Sequence, residues 1–153
     1  MPLSIEVTKT NFTEVKARIR QQINWLKQVD VPLAKIATEM YSGVQKNFRE
    51  QSADGKAWKP FSITTLIEKA TRKRRRSVNP MLLQDTGHLR QSIYPEVQGS
   101  EAIVSTNIPY AKYHQFGSKK IPNHPPKRAF LLIRQASKER ILNIARNWVY
   151  KGA

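Results

Sequence analysis

The chain has 153 residues, 27 Lys and Arg against 11 Asp and Glu, a formal charge of +16, 39% hydrophobic residues and no cysteine. Disulfides and thiolate metal sites are excluded, and the length is enough for one domain with a real core. No opening apolar run reads as a signal peptide and no window as a membrane span, so the expectation is a soluble, basic, single-domain protein made in a cytoplasm.

In chain order, residues 3–8 alternate apolar and polar side chains and predict a short strand. Asn11 or Thr13 is placed to cap a first helix over 12–27, with Phe12, Val15, Ile19, Ile23 and Leu26 as its apolar stripe. A break at 29–32 follows, where Asp30 is read as a cap and Pro32 as a first-turn residue of a second helix over 31–50. Leu33, Ile36, Ala37, Met40, Val44 and Phe48 make its stripe. Asp54-Gly55 is a turn signal, and Trp58, Pro60 and Phe61 sit in an extended setting. Ser62 reads as the N-cap of a third helix, because its hydroxyl oxygen can accept an orphan N–H of the first turn.

That helix starts apolar and ends cationic. From Lys69 to Arg76 six of eight residues are basic: Lys69, Arg72, Lys73, Arg74, Arg75 and Arg76. Mutual repulsion predicts a mobile basic arm around 69–80. Its charge suits contact with DNA or an acidic partner through counterion release, and equally a solvated arm that aids solubility. Lack of interleaved aromatics argues against sequence reading.

A short helical turn is expected within 82–93, opened by Asp85 or Thr86. Residues 92–98 and 101–107 then alternate around Gly99-Ser100, which predicts an antiparallel hairpin with Pro95 at an edge or at an early bend of the first strand. Pro109 opens another short helix and Gly117 closes it in a left-handed conformation. On that helix Tyr110 and His114 share one face, and Tyr113 and Phe116 another, forming an aromatic knob. The knob suits either this domain's own core or an anchor between subunits. Residues 118–129 read as a Lys- and Pro-rich loop, and 130–133 as a buried strand or the start of the last helix. In that last helix Ala136, Ile141, Ile144, Ala145 and Trp148 share a face. The fold class expected is α+β, with helices packed against a small antiparallel sheet.

Chemistry is poorly represented. His88, His114 and His124 are widely spaced, with no carboxylate or thiol in a ligand pattern, so no metal is expected. Asp85, His88 and Ser92 are near in sequence, but no nucleophile elbow accompanies them. Paired carboxylates and a Gly-rich phosphate loop are also missing, so no catalytic residue is named and an enzyme is not expected.

Five segments occur in order: FREQSADGKAWKP, SITTLIEK, LLQDTGHLRQSI, NIPYAKYHQFG and IPNHPPKRAFL. Together, over Phe48 to Leu132, they resemble the phage virion morphogenesis family, the tail completion proteins of Mu-like contractile-tailed phages and prophages. The match carries to Asp54, Gly55 and Trp58, to Leu83, Thr86, Gly87, Leu89 and Ser92, and to Tyr110, Ala111, His114, Gln115, Phe116 and Gly117. It ends on Pro126, Arg128 and Phe130, where the chain departs from the family by a longer loop and by Arg-Ala-Phe in place of Arg-Pro-Phe. The resemblance implies a small, non-enzymatic α+β virion protein without cofactors, located at the neck or head-proximal end of the tail. It further implies a homo-oligomeric ring, with a hexamer as the candidate size, that completes the tail so that it can join the capsid. Trp58, Gly87, Leu89, Tyr110, Tyr113, His114, Phe116, Gly117, Arg128 and Phe130 are then the expected subunit-interface or family-motif residues. Other neck, tail or connector proteins are the expected partners, with DNA in the channel as a further one and no membrane. The alternative is a non-specific nucleic-acid-binding protein that uses residues 69–76.

Overall fold

The second apolar stripe builds the helix around which the other elements pack. In a computed structural model, which describes residues 9–71, 81–117 and 125–151 with side chains from Thr13 onward, the helices are α1 Lys9–Leu26, α2 Asp30–Glu50, α3 Ile63–Thr71, α4 His88–Gln91, α5 Ala111–Phe116 and α6 Gln135–Lys151. The strands are β1 Ser52–Ala53, β2 Lys56–Ala57, β3 Ile93–Gln98 and β4 Glu101–Thr106. The expected strand at 3–8, the cations Arg72, Lys73, Arg74, Arg75 and Arg76, and His124 lie outside the described residues.

α2 is 21 residues long and buries Pro32, Ala37, Gly43, Val44, Asn47 and Phe48 along one side. Asp30 does not cap it. It lies inside the first turn after Val29, which makes no side-chain cap bond. There its carboxylate faces the positive end of the helix dipole. Pro32 costs nothing at this position because a first-turn N–H has no helical partner. The helix ends at Gln51, whose φ of 51° is left-handed and whose N–H bonds Asn47 O. Gln51 O then accepts from Trp58 N–H at 2.8 Å, which closes the β1–β2 hairpin around Asp54-Gly55.

β3 and β4 pair antiparallel from Ile93 with Thr106 to Gln98 with Glu101, turning at Gly99-Ser100 as the alternation predicts. Pro95 sits opposite Val104 in this two-stranded ladder, where both strands are edges and a missing N–H is tolerated. The hairpin packs on α2, and α6 packs on another side of α2. The α2–α6 approach is close: a Cβ at Gly43 would lie 2.9 Å from the Ser137 hydroxyl, and Ser137 is fully buried. Ion pairs from Arg134 to Glu50 and from Arg140 to Glu39 flank the same contact. The hydrogen bond from Arg134 holds the Glu50 carboxyl below its ordinary pKa.

The core is one cluster of Val44, Phe48, Trp58, Leu82, Leu89, Ile93, Ala111 and Phe130. Phe48 meets Trp58 edge-on at 5.6 Å and Phe130 at 5.4 Å. The architecture is α+β, helices on small antiparallel sheets. Two further sequence expectations change. Residues 130–133 form neither strand nor helix but cross the core as irregular chain. On α6, Ala136 is exposed and Ser137 takes its place on the buried face with Ile141, Ile144 and Trp148. A small hydroxyl fits against Gly43 where a larger group would hold the helices apart.

Candidate docking groove

An open groove of about 960 Å³ runs between α3 and the turns that carry α4 and α5. Ser62 sets the orientation of α3: its Oγ accepts the Thr65 N–H at 3.2 Å, the expected N-cap bond. The α4 turn is opened by Gly87, not by Asp85 or Thr86. Gly87 has φ 76°, which a residue with a side chain adopts only under strain, and the Thr86 hydroxyl accepts weakly from His88 N–H at 3.5 Å. Gly117 also differs from expectation. Its φ is positive at 74°, but ψ is 175°, so the chain leaves α5 extended rather than through a left-handed turn. A Cβ there would lie 3.2 Å from Lys127 Cβ, so a side chain would be strained by φ and crowded by Lys127.

Several family-motif residues converge on this groove. Leu83, Thr86, Gly87, Leu89, Tyr110, His114, Pro126 and Arg128 line it, joined by Lys59, Phe61, Lys69 and Asp85. Trp58 and Phe130 lie below, in the core, where Trp58 Nε1–H donates to Ala129 O at 3.1 Å. Tyr110 and His114 do pair, edge to face at 6.0 Å, at one end of the groove. The knob itself divides. Tyr113 is half-buried, with Lys112 Nζ 5.3 Å from its ring centre. Phe116 projects outward with 74% of its surface exposed.

Arg128 is the residue that ties the groove together. It is 4% exposed, and among the described residues no carboxylate forms an ion pair with it. Its Nε donates to Lys59 O at 2.9 Å and one Nη to Pro60 O at 3.2 Å, while its backbone N–H donates to His114 O at 2.7 Å. The guanidinium also lies 5.4 Å from the Phe61 ring centre. Burial lowers its pKa from the ordinary arginine value, but a guanidinium stays protonated. Arg128 thus joins the 59–61 segment to the end of α5, which are far apart in sequence. Arg128→Lys is expected to cost about 1–3 kcal/mol, because one ammonium cannot reproduce a planar fork on two carbonyls. A thermal melt that matches the unaltered chain would show that the fork is dispensable.

Lys69, the described member of the basic run, is held within this chain. Its Nζ is 3.2 Å from Asp85 Oδ1 and 4.4 Å from the Phe61 ring centre, and the side chain is 14% exposed. Sequence reasoning did not identify Phe61 or Asp85 as partners of Lys69 and Arg128. The pairing is long-range, and no local spacing encodes it. Asn47 was also missed, although a polar residue between Val44 and Phe48 on an apolar stripe is a usable signal. Among the described residues no three His, Asp or Glu side chains gather as metal ligands, and no helix is long and apolar enough to cross a membrane. What the groove offers is shape, aromatic edges and two tethered cations, Arg128 on backbone carbonyls and Lys69 on Asp85.

Comparison with known proteins agrees with the ordered motifs. The model of the phage virion morphogenesis family matches residues 8–150. Mu-like prophage FluMu G protein 2 of Haemophilus influenzae is 32% identical over 115 residues, covering 75% of this chain and 72% of that protein. No solved structure matches significantly. The family match reaches from the start of α1 into the last turn of α6 and includes every element that shapes the groove, so the chain belongs to the phage virion morphogenesis family.

Proposed function

We propose that this structural phage protein completes the tail or joins it to the head, forming a ring at the neck or head-proximal end of the tail through protein–protein contacts. The observation that carries the reading is the family match over residues 8–150. The groove supports it: motif residues shape an open surface that carries aromatic side chains. Closed rings use heterologous contacts, in which one patch of a subunit meets a different patch of the next. The groove at 59–69 and 83–89 is one such patch, and Tyr110 with the projecting Phe116 supplies aromatic anchors beside it. Neighbouring copies and other neck, tail or connector proteins are the partners on this reading. A free-standing nucleic-acid-binding role accounts for the charge but for none of the ordered motifs.

Each copy brings a formal charge of +16, so ring closure works against self-repulsion. The pure protein is therefore expected to stay small at low ionic strength and to assemble when salt or an acidic partner screens the charge. Light scattering across a salt series checks this, and a stable ring at low salt would contradict it. Deletion of the gene is expected to leave heads and tails unjoined in electron micrographs. Fully joined, infectious particles in its absence would refute the role itself.

A further inference from the structure

Helix α1 carries the same kind of apolar stripe as α2, yet the described residues do not cover it. Every side chain from Thr13 to Asn24 is exposed, and Val15, Ile19, Ile23 and Leu26 each keep about half their surface open. The helix is fastened at its end. Trp25 stacks on Trp148 of α6 at 4.4 Å and donates Nε1–H to Trp148 O at 3.1 Å. At 100° per residue the stripe spans only about 80°, the narrow seam of a coiled coil rather than the broad face of a helix that lies in a bilayer. Cations border both edges of the seam: Lys16, Arg20 and Lys27 on one side, Arg18 on the other. Trp25 falls on the Arg18 side, so its docking on α6 leaves the seam open.

We propose that α1 is a docking helix for an acidic partner, one that presents a helix whose apolar seam is bordered by Asp or Glu. The inference deepens the structural role above by naming the chemistry of one partner, and it rests on that role only for where the partner is found. Charge complementarity selects the occupant. The residues that flank a helical seam set partner choice, and like charges facing across it repel. A second α1 would bring the same cations to both borders. α6 is no better suited, since Lys138, Arg140, Arg146 and Lys151 outnumber its one acid, Glu139. Nucleic acid would match the cations but leave four aliphatic side chains in water.

The test uses the full chain and two labelled synthetic helices of about three heptads with the same leucine seam, one bordered by Glu and the other by Lys. Fluorescence anisotropy should show the Glu-bordered peptide binding at least about tenfold more tightly, with most of that preference lost at high salt. The uncharged double variant Ile19→Ser, Ile23→Ser should lose the binding without altering the thermal melt, because both side chains are already exposed. It keeps every charge, so binding that survives in it is non-specific attraction and overturns the proposal. Reversal of all four border cations, Lys16→Glu, Arg18→Glu, Arg20→Glu and Lys27→Glu, should turn the preference toward the Lys-bordered peptide. Equal binding of both peptides would overturn the proposal. So would self-association abolished by the serine variant, which assigns the seam to a second copy. Partition onto phosphatidylglycerol vesicles without peptide preference would assign it to a membrane and overturn it as well. None of these readouts involves particles, so a chain that passes them and is missing from virions would sink the virion role alone.

Discussion

Phe130→Ala is expected to lower stability by about 3–5 kcal/mol, a large share of the roughly 5–15 kcal/mol that holds a domain folded. The ring is fully buried, 5.4 Å from Phe48, inside the single cluster that joins α2, the β3 strand and the groove turns. Truncation removes the ring's transfer free energy and leaves a cavity that a core built from four separate elements cannot close. For a chain of this length the melting temperature should fall by about 10 °C or more in a calorimetric scan. Phe130→Leu, which keeps most of the volume, should cost far less. A shift of only about 2 °C for the alanine variant would mean that residues 128–132 do not cross the core as described.

Asn47→Ala is expected to cost about 3 kcal/mol, although it deletes no apolar group. Asn47 is fully buried, and its Nδ2 donates to Phe130 O at 3.0 Å and Leu132 O at 2.9 Å. Two carbonyl neighbours also fix which end of the amide is the nitrogen. Those carbonyls belong to the irregular stretch that forms no ladder of its own. On the other side, Gln115 Oε1 accepts the N–H groups of Phe130 and Leu131, both at 3.0 Å. Side chains from α2 and α5 thus replace the missing strand or helix partners. Asn47→Asp separates hydrogen bonding from shape. A carboxylate is nearly isosteric but cannot donate, and burial beside two carbonyl oxygens raises its pKa above the unfolded value. Its penalty should therefore be smallest at acid pH and grow as pH rises through the carboxylate range. Denaturant melts across pH check the sign. A penalty independent of pH would place Asn47 in a wet site, and one that shrinks with rising pH would mean that donors rather than carbonyl oxygens face it.

Loss of either side chain should also disturb the groove, because the 128–132 stretch carries Arg128 at its edge. The same segment that plugs the core supplies the fork on Lys59 O and Pro60 O. Stability and docking surface are coupled in this fold through one irregular strand of chain. Variants meant to probe docking are better placed at exposed Tyr110 or Phe116.

Local pattern determined much of this protein. The α2 stripe, the β3–β4 register around Gly99-Ser100, the Ser62 cap and the hinge before Pro32 were all readable, because each depends on side-chain period or on backbone preferences within a few residues. The ordered motifs carried the family in the same way. Tertiary structure alone decided the rest. Residues 130–133 have the composition of a strand, yet their peptide groups are taken by Asn47 and Gln115, which lie far away in sequence. Lys69 looks like the start of a free basic arm, yet Asp85 and Phe61 hold it. The stripes of α1 and α2 look alike on a helical wheel, but one is buried and the other open. Periodicity records which side of a helix is apolar, whereas burial depends on what the rest of the chain, or another molecule, brings to that side.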